Sequence, residues 1–383
     1  MALHFSASEY ANRLERLQAA MDENKLDCLL LFSQESMFWL TGYDTFGFCF
    51  FQCLVVKRDG EMVLVTRSPD LRQARHTSNI ENIVIWTDRA GADPTLDLYN
   101  VLGNLDLVGC RIGIEYDTVG LTARHGKSLD ERLKAFAETS DASGLVEGLR
   151  TVKSKAELAY VRQAGELADL AFDEAIKLTK AGADEGDILA AMHSAIFSRG
   201  GDYPGNEFII GSGKDALLCR YKSGRRKLSK NDQLTLEWAG TMAHYHAAMM
   251  RTLIIGKPTA RHEELYAAAR DALVEVRDAM VVGNKISDMF DAHVRVLDNA
   301  GLVRHRLNAC GYSLGARFSP SWMDTPMIYA GNDMEIRENM VFFIHMIIAD
   351  SDTDTAMTLG QSYITTPSGP ESLTRHEIDL IVR

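Results

Sequence analysis

QLTLEWAGTMAHYHAAMMRT, residues 233–252, holds two strand-type runs, LTLEW at 234–238 and the start of AAMMRTLIIG at 247–256. Successive side chains of a strand point to opposite faces, so positions 244, 246, 248, 250 and 252 are expected to share one face. That face carries His244 and His246 together with the small Ala248. On the neighbouring run Glu237 stands between Leu236 and Trp238, where a carboxylate is costly to bury without a partner. An imidazole with a pKa of about 6.5 can take a proton from water and return it to a departing nitrogen at neutral pH. His246 is therefore the leading proton-transfer candidate, and Glu237 can act as base, as nucleophile or as acceptor of a charged N–H. Each has a structural alternative: His246 as a satisfied strand histidine, His244 as a solvent-exposed residue near the turn.

Outward from this stretch the chain divides in two. Towards the N-terminus CLLLF (28–32), CLVV (53–56), MVLVT (62–66), IVIW (83–86) and RIGIE (111–115) alternate with helical or turn segments after a helical pattern at 9–24. That alternation predicts an α/β domain over residues 1–145. Beyond it, Ser154 with Glu157 three positions later is a capping-box signature opening a long helix, and further helices are expected at 184–199, 261–281 and 286–300. Strands at 208–213, 234–238, 247–256 and 340–348 lie between and after them, so residues 146–383 read as an antiparallel sheet with helices against it. The fold class is α+β.

Composition narrows the function. The 383 residues carry a net charge of −12, and no basic patch stands out beyond RYKSGRR at 220–226, which argues against a nucleic-acid partner. No apolar run approaches the roughly 20 residues that span a bilayer. The six cysteines form no metal-type pair and read as reduced thiols, and the chain is expected in the cytoplasm. The glycines of IIGSGK (209–214) lack the context of a phosphate-binding loop.

Five segments resemble the creatinase/aminopeptidase P ("pita-bread") family, in the family's order. LRTVKSKAELAYVRQAGELAD (149–169) is similar to its entry helix, IIGSGKDALLCRY (209–221) to the strand that follows, CGYSLG (310–315) to a glycine-rich turn, NMVFFIHMII (339–348) to a central strand and LGQSYITTPSGPESLT (359–374) to the last strand. The stretch at 233–252 resembles the family's metal-binding hairpin, ending in Met250-Arg251-Thr252. The resemblance implies a pita-bread fold over 146–383 behind a creatinase-like domain at 1–145.

The family's five metal-ligand positions fall on Glu237, Ala248, Tyr312, His345 and Gly360, and its proton-handling histidine falls on Arg220. Three of the five lack a usual ligand, so the expectation is no metal and no cofactor. The resemblance then points to the branch that works without metal, to which creatinase and ectoine hydrolase belong, and to a small zwitterionic, amidine-like substrate whose C–N bond is hydrolysed. Glu237, His246 and His345 are the expected catalytic residues. Arg220 would bind a substrate carboxylate, or else form an ion pair with Glu237 or Asp215. Tyr221, Tyr312, Trp322, His244 and Phe48 would surround the cation. In creatinase-like homodimers the loop equivalent to FWLTGYDTFGFCFFQ (38–52) reaches the partner's active site, so a homodimer is expected; domain core or interface is the plainer account of its aromatics. The alternatives are an Xaa-Pro aminopeptidase or dipeptidase with a degenerate metal site, and a non-catalytic binding protein.

Overall fold

A computed structural model of the chain describes residues 3–220 and 225–383. It divides into two compact units, Met1–Arg150 and Thr151–Arg383.

The first unit contains strands β1 (Cys28–Leu31), β2 (Cys53–Lys57), β3 (Met62–Arg67), β4 (Asn82–Trp86), β5 (Arg111–Ile114) and β6 (Glu138–Asp141) in the order β4-β3-β2-β1-β5-β6. Helices α1 (Ala7–Glu23), α2 (Gln34–Thr41), α3 (Asp70–Thr77), α4 (Pro94–Asn104), α5 (Ala123–Leu133) and α6 (Ser143–Arg150) connect them. Cys28, Leu30 and Phe32 enter one apolar layer with α4 and α5, while Leu29 and Leu31 enter the other with α1 and α2. Coverage of both faces explains why CLLLF is a continuous apolar run. The unit extends through α6, past the expected end at residue 145, because Ala142 and Val146 are buried against α1 and α2 in that second layer.

Among the described residues the second unit is an antiparallel sheet under four helices. Its strands are β7 (Ile209–Ser212), β8 (Asp232–Met242), β9 (Tyr245–Ile255), β10 (Gly311–Ser313), β11 (Asp324–Met327), β12 (Val341–Asp350), β13 (Thr355–Ile364) and β14 (Glu371–Ser372). Their order is β11-β10-β12-β13-β9-β8-β7, with β14 on β13. The helices are α7 (Lys155–Leu178), α8 (Glu185–Phe197), α9 (Ala260–Ala279) and α10 (Ile286–Asn299). Ser154 and Glu157 do form a capping box: the Ser154 hydroxyl accepts from Glu157 N at 3.2 Å, and the Glu157 carboxylate from Ser154 N at 2.8 Å.

All four helices lie over one side of the sheet. Trp238 stacks on Phe172 of α7 and donates its indole N–H to Ala168 O at 2.9 Å, while Phe342, Ile344, Met346 and Ile348 join the core formed with α9 and α10. Residues of opposite parity, Glu237 on β8 and His345 on β12, therefore share the other face. Among the described residues no helix is long and apolar enough to cross a membrane.

The β8–β9 hairpin closes through Ala243 (φ 49°) and His244 (φ 63°), a two-residue left-handed turn of the kind that matches strand twist. His244 is thus not a strand residue, contrary to the alternation expected for positions 244–252. Its ring stacks on Phe318 at 4.1 Å and its N–H points to the Asp202 carboxylate at 3.3 Å.

Candidate active site

Strand register sets four residues side by side across the face away from the helices. Glu237 of β8 opposes Met250 of β9, Met250 opposes Gly360 of β13, and Gly360 opposes His345 of β12. One step towards the hairpin turn lie Ala239 and Ala248, then Ser362, Phe343 and Tyr312. The Ser362 hydroxyl donates to Ala248 O at 2.7 Å and accepts from Ala248 N at 3.0 Å. One step the other way, Thr235, Thr252 and Thr358 form a buried hydroxyl ladder at 3.2 and 3.0 Å.

Glu237 is 8% exposed. Burial pushes its carboxyl up to about 7, against the opposing pull of the Tyr312 hydrogen bond and the Arg220 charge. Among the described residues it accepts one hydrogen bond, from the Tyr312 hydroxyl at 3.2 Å. Tyr312 is fixed in turn by the Trp322 indole, which donates to its oxygen at 2.9 Å. The Trp322 backbone N–H donates to Asn206 Oδ1 at 3.1 Å. Asn206, Trp322, Tyr312 and Glu237 thus form one chain of donors and acceptors ending on a carboxyl near neutrality.

His345 lies at the other end of the row. Its ring sits against Tyr312 (5.7 Å between centroids) and Phe343 (5.4 Å), and Nδ1 is buried with no hydrogen-bond partner among the described residues. Burial and the neighbouring His293 and Arg220 charges depress it to about 3, so the ring is neutral at pH 7. A neutral imidazole with an unused nitrogen thus shares one face of the sheet with a carboxyl that titrates near 7, at the opposite end of the row, and that nitrogen is free to hydrogen-bond a substrate.

His246 is built differently. It is fully buried, Nε2 accepts from Gly205 N at 2.9 Å, and Nδ1 lies 3.3 Å from Gly315 O. Since a backbone N–H can only donate, Nε2 carries the lone pair and Nδ1 the hydrogen, which leaves no nitrogen for substrate. Burial holds its pKa down to about 3. His246 and Ala248 stand two positions apart on β9 and so share a face, but the partners of His246 come from loops whose approach alternation cannot reveal.

Arg220 is exposed, and its charge acts on Glu237, Tyr312 and His345 alike. Tyr221 lies outside the described residues. Phe48 belongs to the first unit, where it is half-buried in a segment whose Phe38, Trp39, Tyr43 and Phe51 are core, while Phe46 and Phe50 are exposed. Sequence reasoning missed Phe343, although its parity with His345 in FFIH was a usable signal. A Cβ at Gly360 would lie 2.6 Å from the Phe343 ring and 2.9 Å from Met250 Cβ, so the ring fills the space in which a longer residue would begin.

An α/β unit followed by a helix-covered antiparallel sheet, with the Glu237–His345 row on the face away from the helices, defines a two-domain pita-bread protein. Residues 13–152 match the creatinase/prolidase N-terminal domain and residues 159–377 match metallopeptidase family M24, and the chain belongs to that family of hydrolases. It is similar to the ectoine hydrolase of Halomonas elongata, with 26% identity over 401 residues covering 100% of this chain and 99% of that one. It is also similar to the Xaa-Pro dipeptidase of Pyrococcus furiosus, with 21% identity over 371 residues and coverage of 96% and 99%. The crystal structure of the prolidase from Thermococcus sibiricus superposes with a TM-score of 0.87 at 18% identity, covering 99% of this chain and 100% of that one, a likeness of fold.

The family name implies metal, and the residues here do not fit a two-metal centre. Such a centre needs bridging carboxylates holding ions about 3.5–4 Å apart. Ala248 and Gly360 offer no donor, the Phe343 ring occupies the approach to Gly360, and the Tyr312 hydroxyl, pushed well above its ordinary range by burial, is spent on Glu237. Among the described residues one trio could share an ion, His305, Asp350 and Asp352 at the far end of β12. There Asp350 is already paired with Arg261 at 2.7 Å.

Proposed function

We propose that this protein hydrolyses a C–N bond in a small zwitterionic, amidine-like compound without a metal ion, by ectoine-type ring opening or, second, creatine-type amidino hydrolysis. One observation carries the reading: the row across the sheet keeps a carboxyl and an imidazole, Glu237 and His345, while Ala248, Gly360 and the Phe343 ring replace what a metal would need. The similarity to an ectoine hydrolase supports the substrate class.

Glu237, poised near 7, takes a proton from water as the oxygen adds to the amidinium carbon, or attacks that carbon itself and is later freed by water. When the C–N bond breaks, the departing nitrogen takes up the proton that Glu237 removed from water, with the uncharged His345 as the relay. The Tyr312 hydroxyl holds Glu237 in place, Tyr312 and Trp322 offer ring faces to a delocalised cation, and Arg220 supplies the charge for a carboxylate. We further propose a cytoplasmic homodimer in which residues 38–52 reach the partner's site, a reading supported by the exposure of Phe46 (79%) and Phe50 (47%).

The test is turnover of ectoine, creatine, guanidinoacetate, betaines and Xaa-Pro dipeptides by chelator-treated protein, with elemental analysis. Hydrolysis of a zwitterionic amidine without bound metal is expected. A stoichiometric divalent ion whose removal abolishes turnover, or cleavage of Xaa-Pro dipeptides alone, would replace this reading with a dipeptidase that retains a reduced metal site. Turnover of none of the panel would favour a binding protein.

A further inference from the structure

We propose that His246 is a positioning residue: a neutral imidazole latch that seats the 200–208 loop on Trp322 and thereby aims the Tyr312 hydroxyl at Glu237. The inference rests on the reading of Glu237 as the catalytic carboxyl, and it assigns the most buried histidine of the site face a task other than proton transfer.

The path runs through named contacts. His246 Nε2 takes the Gly205 N–H at 2.9 Å. At Gly205 the chain passes so close to the next segment that a Cβ would lie 2.7 Å from Ser321 C and Trp322 N. The following residue, Asn206, accepts the Trp322 N–H, and the Trp322 indole donates to Tyr312, which donates to Glu237. On its other side the ring meets Gly315 O, to which the His246 backbone N–H also donates at 3.3 Å. The imidazole therefore joins the 200–208 loop to the segment at 314–322 that follows β10. The 200–208 loop has further anchors: Asp202 N donates to Thr241 O at 2.9 Å, and the Phe208 ring meets Trp322 edge-on at 6.5 Å.

Two properties suit a latch and not a carrier. Its hydrogen arrangement is fixed, because Gly205 must donate and Gly315 O must accept. A proton added at Nε2 would also face the Gly205 N–H, two donors with no acceptor between them in a site without water exposure.

Hydrogen exchange by mass spectrometry and steady-state kinetics on three full-length proteins test the proposal. Glutamine has an acceptor at about the reach of Nε2 and a donor beside it, yet no proton to exchange near neutrality. In His246→Gln the exchange of residues 200–208 is expected to stay within about threefold of wild type and turnover to be restored to a similar margin. In His246→Leu exchange there should accelerate by about tenfold or more, with kcat falling and KM changing less. Asn206→Ala, which breaks the next link while leaving His246 intact, should reproduce the kcat loss, and it stands in if the leucine protein does not fold. A loss of about 10²–10⁴-fold in kcat for His246→Gln with unchanged exchange would overturn the latch and make His246 the proton carrier. Unchanged exchange in His246→Leu would overturn it as well. Should no substrate be turned over, the exchange comparison still decides the latch, so failure of the proposed reaction is distinguishable from failure of this inference.

Discussion

At the turn end of the β8–β9 hairpin, His246 has both ring nitrogens occupied by backbone groups, and its surroundings leave it nothing to exchange. Further along the same face, at the row from Glu237 to His345, a carboxyl accepts one hydrogen bond among the described residues and an imidazole nitrogen has no partner among them. Both regions are buried, and in both burial depresses an imidazole to about 3. The pKa alone therefore does not separate them. What separates them is satisfaction: a saturated polar group specifies structure, whereas an unsatisfied one is held at a cost that a substrate can relieve.

That contrast fails first if Glu237 is dispensable. Glu237→Gln keeps shape and removes the only titrating carboxyl of the row, and a loss of about 10³-fold or more in kcat/KM is expected from the loss of a base or nucleophile. The same variant has a second signature. A buried carboxyl raised from 4.5 to about 7 binds more protons folded than unfolded across that interval, so its contribution to stability falls as pH rises through the interval and is level above it. Thermal melts at intervals from about pH 5 to pH 8 should show the glutamine protein gaining on wild type with rising pH. A variant with wild-type turnover and an unchanged pH trend would remove Glu237 from the site.

His345→Gln is expected to cost about 10²-fold in kcat, because a general acid–base typically contributes that much or more, whereas His246→Gln should not. Measured side by side, the two substitutions order the two regions. If the glutamine at 246 were the damaging one, the roles drawn from saturation would have to be exchanged.

How much of this was legible beforehand follows from where the partners lie. The family-like segments brought Glu237 and His345 together as two of the family's ligand positions, because that placement depends on residues near in sequence and on a register that the family shares. The roles at the turn were not legible. His244 left the strand because a two-residue loop must take positive φ at both positions, and His246 was saturated by Gly205 and Gly315, backbone groups contributed by distant loops. Glycine carries no side-chain signal of such a partnership. The filling of the row by Phe343 was hidden for a related reason: Gly360 read as a missing ligand, and only the three-dimensional contact shows that the vacated volume belongs to a ring.

Tyr312→Phe tests the link between the two regions, since it leaves the ring and removes the hydrogen bond at the end of the Trp322 chain. The Tyr312 hydroxyl stabilises the charged form of Glu237, so its loss raises the carboxyl pKa further. If the carboxylate is the active form, the ascending limb of kcat/KM against pH moves to higher pH than in wild type, with a loss of about tenfold at neutrality that narrows as pH is raised. An unshifted limb would show that the hydrogen bond does not set the Glu237 charge.

The smallest effect is expected at Gly360. A methyl group there must displace the Phe343 ring from 2.6 Å, and overpacking of this kind costs about 1–3 kcal/mol, measurable as a lower denaturation midpoint in Gly360→Ala. Phe343 also faces Tyr312 at 5.4 Å and His345 at 5.4 Å, so the displaced ring has polar neighbours on two sides. Reducing it in the double variant Gly360→Ala/Phe343→Leu should recover part of the loss, giving a favourable coupling between the two positions. A Gly360→Ala protein as stable as wild type would mean that the row has room for a side chain at that position, and that the ring does not seal the place of the family's fifth ligand.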